Sequence, residues 1–241
     1  MGALIAAPSP NHNERSAPPD MLLLHYTGMV SGEAALERLR DPEAKVSSHY
    51  LVEEDGRIFA LVQEERRAWH AGVSFWRGER DINDRSIGVE IVNPGHEFGY
   101  RPFPSAQVAA VIDLLGDVRA RWAIPDNRIL GHSDVAPGRK QDPGELFPWR
   151  SLARAGHGLW SDEPGAADDD LVEEGAAGEV RAAQSALLAI GYEQAVGDDR
   201  DAAMTARVVA FQRHWSPHRV DGLIDRPTLT RLKAIAALCG P

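Results

Sequence analysis

The chain has 241 residues, 43% hydrophobic and 26% charged, which is ordinary for a globular protein with one sizeable domain and a smaller one. Its formal net charge of −10 argues against nucleic acid as the main partner, because phosphate binding requires a basic surface. The single cysteine, Cys239, excludes an internal disulfide and a cysteine-based zinc site, so any transition metal must be held by histidines and carboxylates.

The start of the chain, MGALIAAPSPNHNER, has a short apolar piece with no basic segment before it, so it does not have the form of a secretory signal. No run reaches the roughly 18 apolar residues that a membrane-crossing helix needs. We therefore expect no transmembrane segment. The protein would be cytoplasmic if the sequence is complete, and periplasmic or envelope-associated if an export signal was removed. A monomer is the default expectation.

The first part of the chain, residues 1–160, alternates strand and helix patterns. The apolar run MLLLHY, at 21–26, predicts a buried strand that leads into a loop. The next segment, SGEAALERLRDP, predicts a helix capped by Ser31. SSHYLVEEDGRIFALV then predicts a hairpin whose turn is Asp55-Gly56.

Three more elements follow within this part. The segments RSIGVEIVNPG and NRILGH each predict a short strand. Between them, residues 104–122 carry apolar side chains at helical spacing, which predicts a helix capped by Ser105. Because hairpins and helical crossovers both occur, we predict an α/β fold with a central mixed β-sheet flanked by helices.

Composition changes sharply after residue 160. Residues 161–178 hold seven acidic residues and no basic one, which is typical of a solvated linker. Residues 179–241 contain three amphipathic helical patterns, in EVRAAQSALLAIGY, DAAMTARVVAFQRHW and VDGLIDRPTLTRLKAIAAL. We therefore predict an α/β domain at 1–160, an acidic linker at 161–178 and a small three-helix bundle at 179–241.

The loop LGHSDVAPGRKQDPG, residues 130–144, concentrates polar side chains between prolines and glycines. His25 and His132 each stand at the end of a predicted strand, where α/β sheets place their sites. Asp142 follows His132 by enough residues for the loop to fold back. Two histidines and one carboxylate would leave a fourth position open, as in a catalytic zinc site. The alternative, that each histidine is an ordinary core or surface residue, stays open at this point.

Two further charged residues are candidates for chemistry. Glu90 lies inside the apolar strand SIGVEI, where a carboxylate is costly unless it is paired or used as a general base. Lys140 lies two residues before Asp142, so an extended loop would point both side chains the same way, and the ammonium could stabilise an oxyanion. A solvated strand face for Glu90 and an ordinary surface position for Lys140 are the alternatives.

Five segments in this order, LLLHYTG, SSHYLVEEDG, AWHAG, NDRSIGVEI and GHSDVAPGRKQDPG, together resemble the zinc-dependent N-acetylmuramoyl-L-alanine amidases of the AmpD/AmiD type. The resemblance covers roughly residues 9–155 and again implies a mixed sheet flanked by helices. It implies one zinc ion per chain and assigns five site residues: the ligands His25, His132 and Asp142, and the catalytic residues Glu90 and Lys140.

The substrate that the resemblance implies is peptidoglycan or a muropeptide. The bond cleaved would be the amide between N-acetylmuramic acid, or its 1,6-anhydro form, and L-alanine of the stem peptide, in cell-wall turnover or recycling. Trp69 and His70, from the AWHAG segment, are candidates for lining the cleft. Lys45 and Arg80 are candidates for binding substrate carboxylates, although both also fit ordinary surface charges.

The tail resembles a three-helix peptidoglycan-binding domain in its segments VRAAQSALLAIGY, TARVVAFQRHW and VDGLIDRPTLTRL. Such a domain would either bind wall glycan or serve only as packing support, and the sequence leaves both open. For the whole chain, the alternative function is a non-catalytic peptidoglycan recognition protein of the same fold. The complete ligand set, together with Glu90 and Lys140, favours the hydrolase.

Overall fold

The structure is a computed structural model that describes residues 3–162, 177–194 and 201–240. The strands are β1 (Ile5–Ala6), β2 (His12–Glu14), β3 (Met21–Tyr26), β4 (Tyr50–Val52), β5 (Ile58–Ala60), β6 (Arg66–Ala68), β7 (Ser86–Ile91) and β8 (Ile129–Gly131). The helices are α1 (Gly32–Arg40), α2 (Ile82–Arg85), α3 (Gly95–Phe98), α4 (Ser105–Arg121), α5 (His132–Val135), α6 (Trp149–Arg154), α7 (Ala177–Ile190), α8 (Ala202–Trp215) and α9 (Arg226–Leu238).

Six strands form one mixed sheet in the order β1-β5-β4-β7-β3-β8. The β4–β5 hairpin is antiparallel, and every other neighbouring pair in this sheet is parallel. Strands β2 and β6 form a separate antiparallel ribbon. The predicted mixed sheet flanked by helices is confirmed.

Strand β3 divides its side chains between two apolar cores. Leu22 and Leu24 enter the core that contains α4, and we call this side of the sheet the α4 face. Met21 and Leu23 enter the core that contains the helices of the tail, and we call this side the tail face. Alternate strand residues point to opposite faces, so a fully buried strand needs the continuous apolar run seen in the sequence.

Helix α4 closes the α4 face with a stripe of buried side chains at helical spacing, namely Val111, Leu114, Leu115 and Val118. Opposite them lie the β7 residues that share this face, Ile87, Val89 and Ile91. These contacts are apolar, and the buried Gln107 of α4 adds hydrogen bonds to the carbonyls of Val52 and Val92 at 3.1 and 2.9 Å. This face therefore follows directly from the periodicity of the sequence.

The three tail helices pack onto the other face of the sheet. Val208 and Phe211 of α8 and Leu232 of α9 belong to one continuous core with Met21 and Leu23 of the central strand. The sequence predicted the three helices but not this shared core. Most of the predicted acidic linker lies outside the described residues.

Of the two predicted helix caps, one was right and one was wrong. Ser31 caps α1 by accepting a hydrogen bond from the Ala34 amide at 3.1 Å, as predicted. Ser105 does not cap α4, because it is the first helical residue and Pro104 precedes it. The loop at 130–144 is not wholly irregular, since a single helical turn, α5, begins at His132. Within the described residues, no helix combines the length and apolar character needed to cross a membrane.

Candidate metal centre

Three buried side chains bring their ligand atoms together at the carboxyl end of the parallel strands. Nδ1 of His25 lies 2.9 Å from Nδ1 of His132 and 2.9 Å from Oδ2 of Asp142. Nδ1 of His132 lies 3.0 Å from the same carboxylate oxygen. Within the part of the chain that the structure describes, these are the three residues whose donor atoms form a metal-ligating group.

Strand register places the two histidines side by side. Leu24 of β3 pairs with Gly131 of β8, so the next position in each chain, His25 and His132, falls at the same level of the sheet. The loop that returns with Asp142 must pass very close to β8. A Cβ on Gly131 would lie 2.8 Å from Pro143 Cδ, so only glycine allows this approach.

Both histidines of the triangle have a partner on their second ring nitrogen. Nε2 of His132 lies 2.9 Å from the Ala71 carbonyl oxygen, which can only accept, so this nitrogen carries the hydrogen. Nε2 of His25 lies 3.1 Å from Nδ1 of His70. Such outer contacts fix the tautomer and orientation of histidine ligands in metal sites.

The electrostatics of this triangle fit a bound cation. Burial, reinforced by His132, lowers the pKa of His25 to about 4, so its ring is neutral at pH 7. Burial alone would raise the pKa of Asp142, but His132 and His25 outweigh it and hold that pKa below its usual range. His132 turns Nε2 to the Ala71 carbonyl and Nδ1 to the Asp142 carboxylate, an arrangement that a shared cation stabilises.

The triangle also has the right size for one ion. Its sides of 2.9–3.0 Å allow a single ion to reach all three atoms at the roughly 2.0–2.1 Å usual for zinc with nitrogen and oxygen ligands. Two imidazoles and one carboxylate suit zinc and several other divalent transition metals. The residues present therefore fit a metal, and the identity of that metal is a separate question.

Glu90 lies on the same face of the sheet as His25 and directly beside it. The two residues are register partners in the parallel β3–β7 pair, and the side chain of Glu90 is half-buried. One of its oxygens, Oε2, is enclosed and has no hydrogen-bond partner. Its side chain lines a cavity of about 340 Å³ that also borders Thr27 and α1 residue Leu39.

Burial raises the pKa of Glu90 well above its usual value, the Asp142 carboxylate adds to this, and Lys140 opposes it. A carboxyl group whose pKa is raised in this way is suited to take up and return a proton. Lys140 is half-buried, and its charge acts on both His25 and Glu90. Its backbone N–H donates to the Ala136 carbonyl at 3.1 Å, which ties the lysine to the end of α5.

The four candidates for substrate binding lie in different surroundings. His70 is buried against His25 and fits between the strands because Gly88 has no Cβ, which would lie 2.6 Å from the ring. Trp69 donates its indole N–H to Asn13 at 2.6 Å. His70 is thus positioned to orient a ligand, and the predicted substrate contacts of both residues stay predictions.

Lys45 is exposed, in the left-handed region of backbone conformation with φ of 50°. Arg80 is also exposed and forms an ion pair with Glu193, which follows the end of α7 in the tail. Neither Lys45 nor Arg80 takes part in the hydrogen bonds described above for His25, His132 and Asp142. Their predicted binding of substrate carboxylates is untested by these positions.

Two polar residues near the triangle, Asp134 and Arg139, were missed by sequence reasoning. Asp134 is fully buried, and it bonds to Tyr192 at 2.9 Å and to His214 at 2.7 Å, both from the tail. Arg139 donates to the Ala71 carbonyl at 2.6 Å, the same oxygen that holds His132. The position of Asp134 inside the GHSD segment could have marked it as a candidate from sequence. Its partners lie 58 and 80 residues away, so no local pattern indicates these contacts.

Comparison with protein families gives two matches along the chain. Residues 15–145 match the family described as N-acetylmuramoyl-L-alanine amidase, and residues 176–232 match a family of peptidoglycan binding domains. The first match spans more than half of the chain and contains His25, Glu90 and His132, together with the returning loop as far as residue 145. The second covers the tail.

Comparison with individual proteins gives the same result. The chain is 37% identical to the N-acetylmuramoyl-L-alanine amidase AmiD of Escherichia coli, over 89% of this chain and 81% of that protein. It is 35% identical to the 1,6-anhydro-N-acetylmuramyl-L-alanine amidase AmpD of Enterobacter cloacae, over 59% of this chain and 84% of that protein.

A solved structure with the same arrangement is the complex of E. coli AmiD with its substrate anhydro-N-acetylmuramic acid-L-Ala-D-gamma-Glu-L-Lys. It superimposes with a TM-score of 0.80 at 34% identity, over 92% of this chain and 90% of that one. AmiD therefore matches both parts of this chain, whereas AmpD matches a little over half of it.

Proposed function

The chain belongs to the N-acetylmuramoyl-L-alanine amidase family, and from this premise we propose that it is a zinc hydrolase of peptidoglycan fragments. It cleaves the amide between N-acetylmuramic acid, or its 1,6-anhydro form, and L-alanine of the stem peptide. The observation that carries the proposal is the buried triangle of His25, His132 and Asp142 with Glu90 beside it in register.

Zinc is the metal that we propose for the triangle, with His25, His132 and Asp142 as its ligands. When bound in a site of this kind, zinc lowers the pKa of water towards neutrality and polarises a carbonyl group. The support is the neutral state of His25, the ionised state of Asp142 and the fixed tautomer of His132. Three protein ligands leave room for water and substrate.

The protein's own groups then move the proton and stabilise charge. Glu90 takes a proton from the attacking water and returns it to the amide nitrogen of L-alanine, so that the C–N bond breaks to give a free lactyl carboxylate and a free amine. The ammonium of Lys140 stabilises the negative charge that develops on the carbonyl oxygen. The cavity of about 340 Å³ beside Glu90 offers space for the substrate.

We also propose that the tail binds cell-wall glycan. The support is its match to the peptidoglycan binding domain family over residues 176–232. Sedimentation of the metal-stripped full chain with insoluble sacculi tests this. Binding that persists when soluble muropeptide saturates the cleft requires a second surface, as expected here. Binding that soluble muropeptide abolishes would assign all affinity to the cleft.

The main test is product analysis with two substrates in parallel, intact sacculi and the anhydro-muropeptide named above. We expect release of free stem peptide with an L-alanine amino terminus from the soluble fragment, loss of activity after chelation, and recovery on adding one equivalent of zinc. If the chain binds muropeptide but neither substrate yields free peptide, the alternative of a non-catalytic recognition protein replaces the hydrolase.

A further inference from the structure

The carboxylate of Asp134 joins the metal-binding loop to the tail. It lies on α5, two residues after His132, and is fully buried. Its Oδ1 accepts from the hydroxyl of Tyr192 at 2.9 Å, and its Oδ2 bonds to Nδ1 of His214 at 2.7 Å. Both partners belong to the tail. A buried carboxylate needs such donors, because an unpaired charge in an apolar core is costly.

Aromatic packing holds these two donors rigidly. The ring of His214 is stacked between two indoles, 3.6 Å from Trp149 and 3.6 Å from Trp215 by ring centroids. The ring of Tyr192 is fully buried and packs edge-on against Trp76 at 5.0 Å. Neither side chain can swing away without repacking aromatic neighbours. The donors that fix Asp134 therefore belong to the tail, and their rings are packed against Trp149 and Trp76 of the α/β domain.

Asp134 in turn holds the backbone around the ligand His132. Its Oδ2 accepts from the Gly131 amide at 2.8 Å, immediately before the ligand. The Ser133 amide, immediately after the ligand, donates to the Asp142 carbonyl at 2.9 Å. The residues on both sides of His132 thus have their backbone N–H groups bonded, Gly131 to the tail-anchored carboxylate and Ser133 to the third ligand.

We propose that Asp134 is a positioning residue through which Tyr192 and His214 of the tail fix His132, so that the tail raises the affinity of the α/β domain for its metal. This rests on the metal centre proposed above. It gives the tail a task inside the chain that is separate from wall binding.

The experiment measures zinc dissociation constants of full-length variants by competition with a chelator. Tyr192→Phe removes one donor to Asp134 and keeps the ring packing. Asp134→Asn keeps the shape but presents an NH₂ group to one of the donors. We expect Tyr192→Phe to weaken zinc binding about tenfold, within the range for outer-shell partners of metal ligands, and Asp134→Asn to weaken it more. At saturating zinc, kcat and KM of Tyr192→Phe should return to the wild-type values.

Arg77→Gln is the matched control, because Arg77 also joins the two parts of the chain. It donates to the carbonyls of Ile190 and Ala189, both at 3.1 Å, and none of these bonds reaches the metal loop. We expect Arg77→Gln to lower thermal stability and leave zinc affinity within twofold of wild type. Unchanged zinc affinity in both Asp134→Asn and Tyr192→Phe overturns the inference, as does an equal loss in Arg77→Gln. If the wild-type chain binds no zinc, the metal centre itself fails, and this inference with it.

Discussion

The two faces of the central sheet are built in different ways. On the α4 face, apolar side chains of β3 and β7 meet an apolar stripe of α4, and the contacts follow from two periodic patterns. On the tail face, the same strands present His25 and Glu90 among buried polar groups, and a separate part of the chain covers the rest. The α4 face stabilises the fold through apolar contacts that local sequence periodicity predicts. The tail face instead arranges reactive groups through hydrogen bonds between residues that are far apart in the sequence.

The largest expected effect is on the tail face, at the third ligand. Asp142→Asn should reduce bound zinc from one equivalent to a small fraction and lower turnover of anhydro-muropeptide by at least about a thousandfold, because water activation depends on the metal. Metal analysis of the purified protein and a hydrolysis assay measure this. Glu145→Gln, in the same loop and paired with His96, is the control and should keep its zinc. Full activity of Asp142→Asn would remove this residue from the ligand set.

The next effect separates catalysis from metal binding on the same face. Glu90→Gln should keep stoichiometric zinc and a nearly normal KM, while kcat falls about 10²- to 10⁴-fold, the usual contribution of a general base. Steady-state kinetics with the same substrate provides the measurement. Glu54→Gln, which loses only an exposed pair with Arg101, serves as the control. A variant at position 90 with normal kcat would contradict the proposed base.

On the α4 face the expected effect is on stability alone. Leu114→Ala should lower the free energy of unfolding by about 2–5 kcal/mol, because a fully buried leucine leaves a cavity. Denaturant unfolding measures the loss. Zinc affinity and kcat, assayed well below the unfolding midpoint, should not change. A large change in zinc affinity would mean that the two faces are more tightly coupled than we infer.

The smallest expected effect is a pH-dependent loss of stability, and it also concerns the α4 face. The buried carboxylate of Glu64 accepts from Arg121, Tyr50 and Trp122. Burial raises the pKa of Glu64, but these donors outweigh it and hold the pKa below its usual value. A lowered folded-state pKa adds stability above the unfolded-state pKa, and this stability disappears as the pH falls through the folded-state value.

Glu64→Gln should therefore lower the free energy of unfolding at pH 7 by about 1.5–3 kcal/mol, the range for hydrogen bonds to a charged group. The difference from wild type should shrink as the pH falls below about 4.3, the ordinary glutamate pKa. Urea unfolding at a series of pH values tests this. A difference that stays constant down to pH 2 would show that the charge of Glu64 is not the cause.

The α4 face could be predicted from sequence almost entirely. The buried strand at 21–26, the Asp55-Gly56 hairpin and the helix at 104–122 each leave a local pattern of apolar spacing or turn residues, and the structure has all three. Of the metal centre, the sequence identified the three residues that converge and the glutamate beside them. These stand out locally because polar side chains at the ends of apolar strands are unusual.

The remaining features of the site depend on contacts that no local pattern encodes. The Ala71 carbonyl that fixes His132 is a backbone group, so no side chain marks it. His70 reaches His25 because Gly88 leaves space on a neighbouring strand. The bonds of Asp134 to Tyr192 and His214 join residues far apart in sequence, and only the packing of the tail onto the sheet brings them together.

The parallel register of β3 and β7 also limits which insertions and deletions this chain can tolerate. His25 and Glu90 are partners at one rung, and neighbouring residues of β7 point to the opposite face. Losing a single residue inside β7, ahead of Glu90, would turn that carboxylate into the apolar core and present a branched aliphatic side chain to the cavity. Among proteins that descend from this sequence, loop lengths can therefore vary. Selection should remove insertions and deletions within β7, even where every site residue is retained.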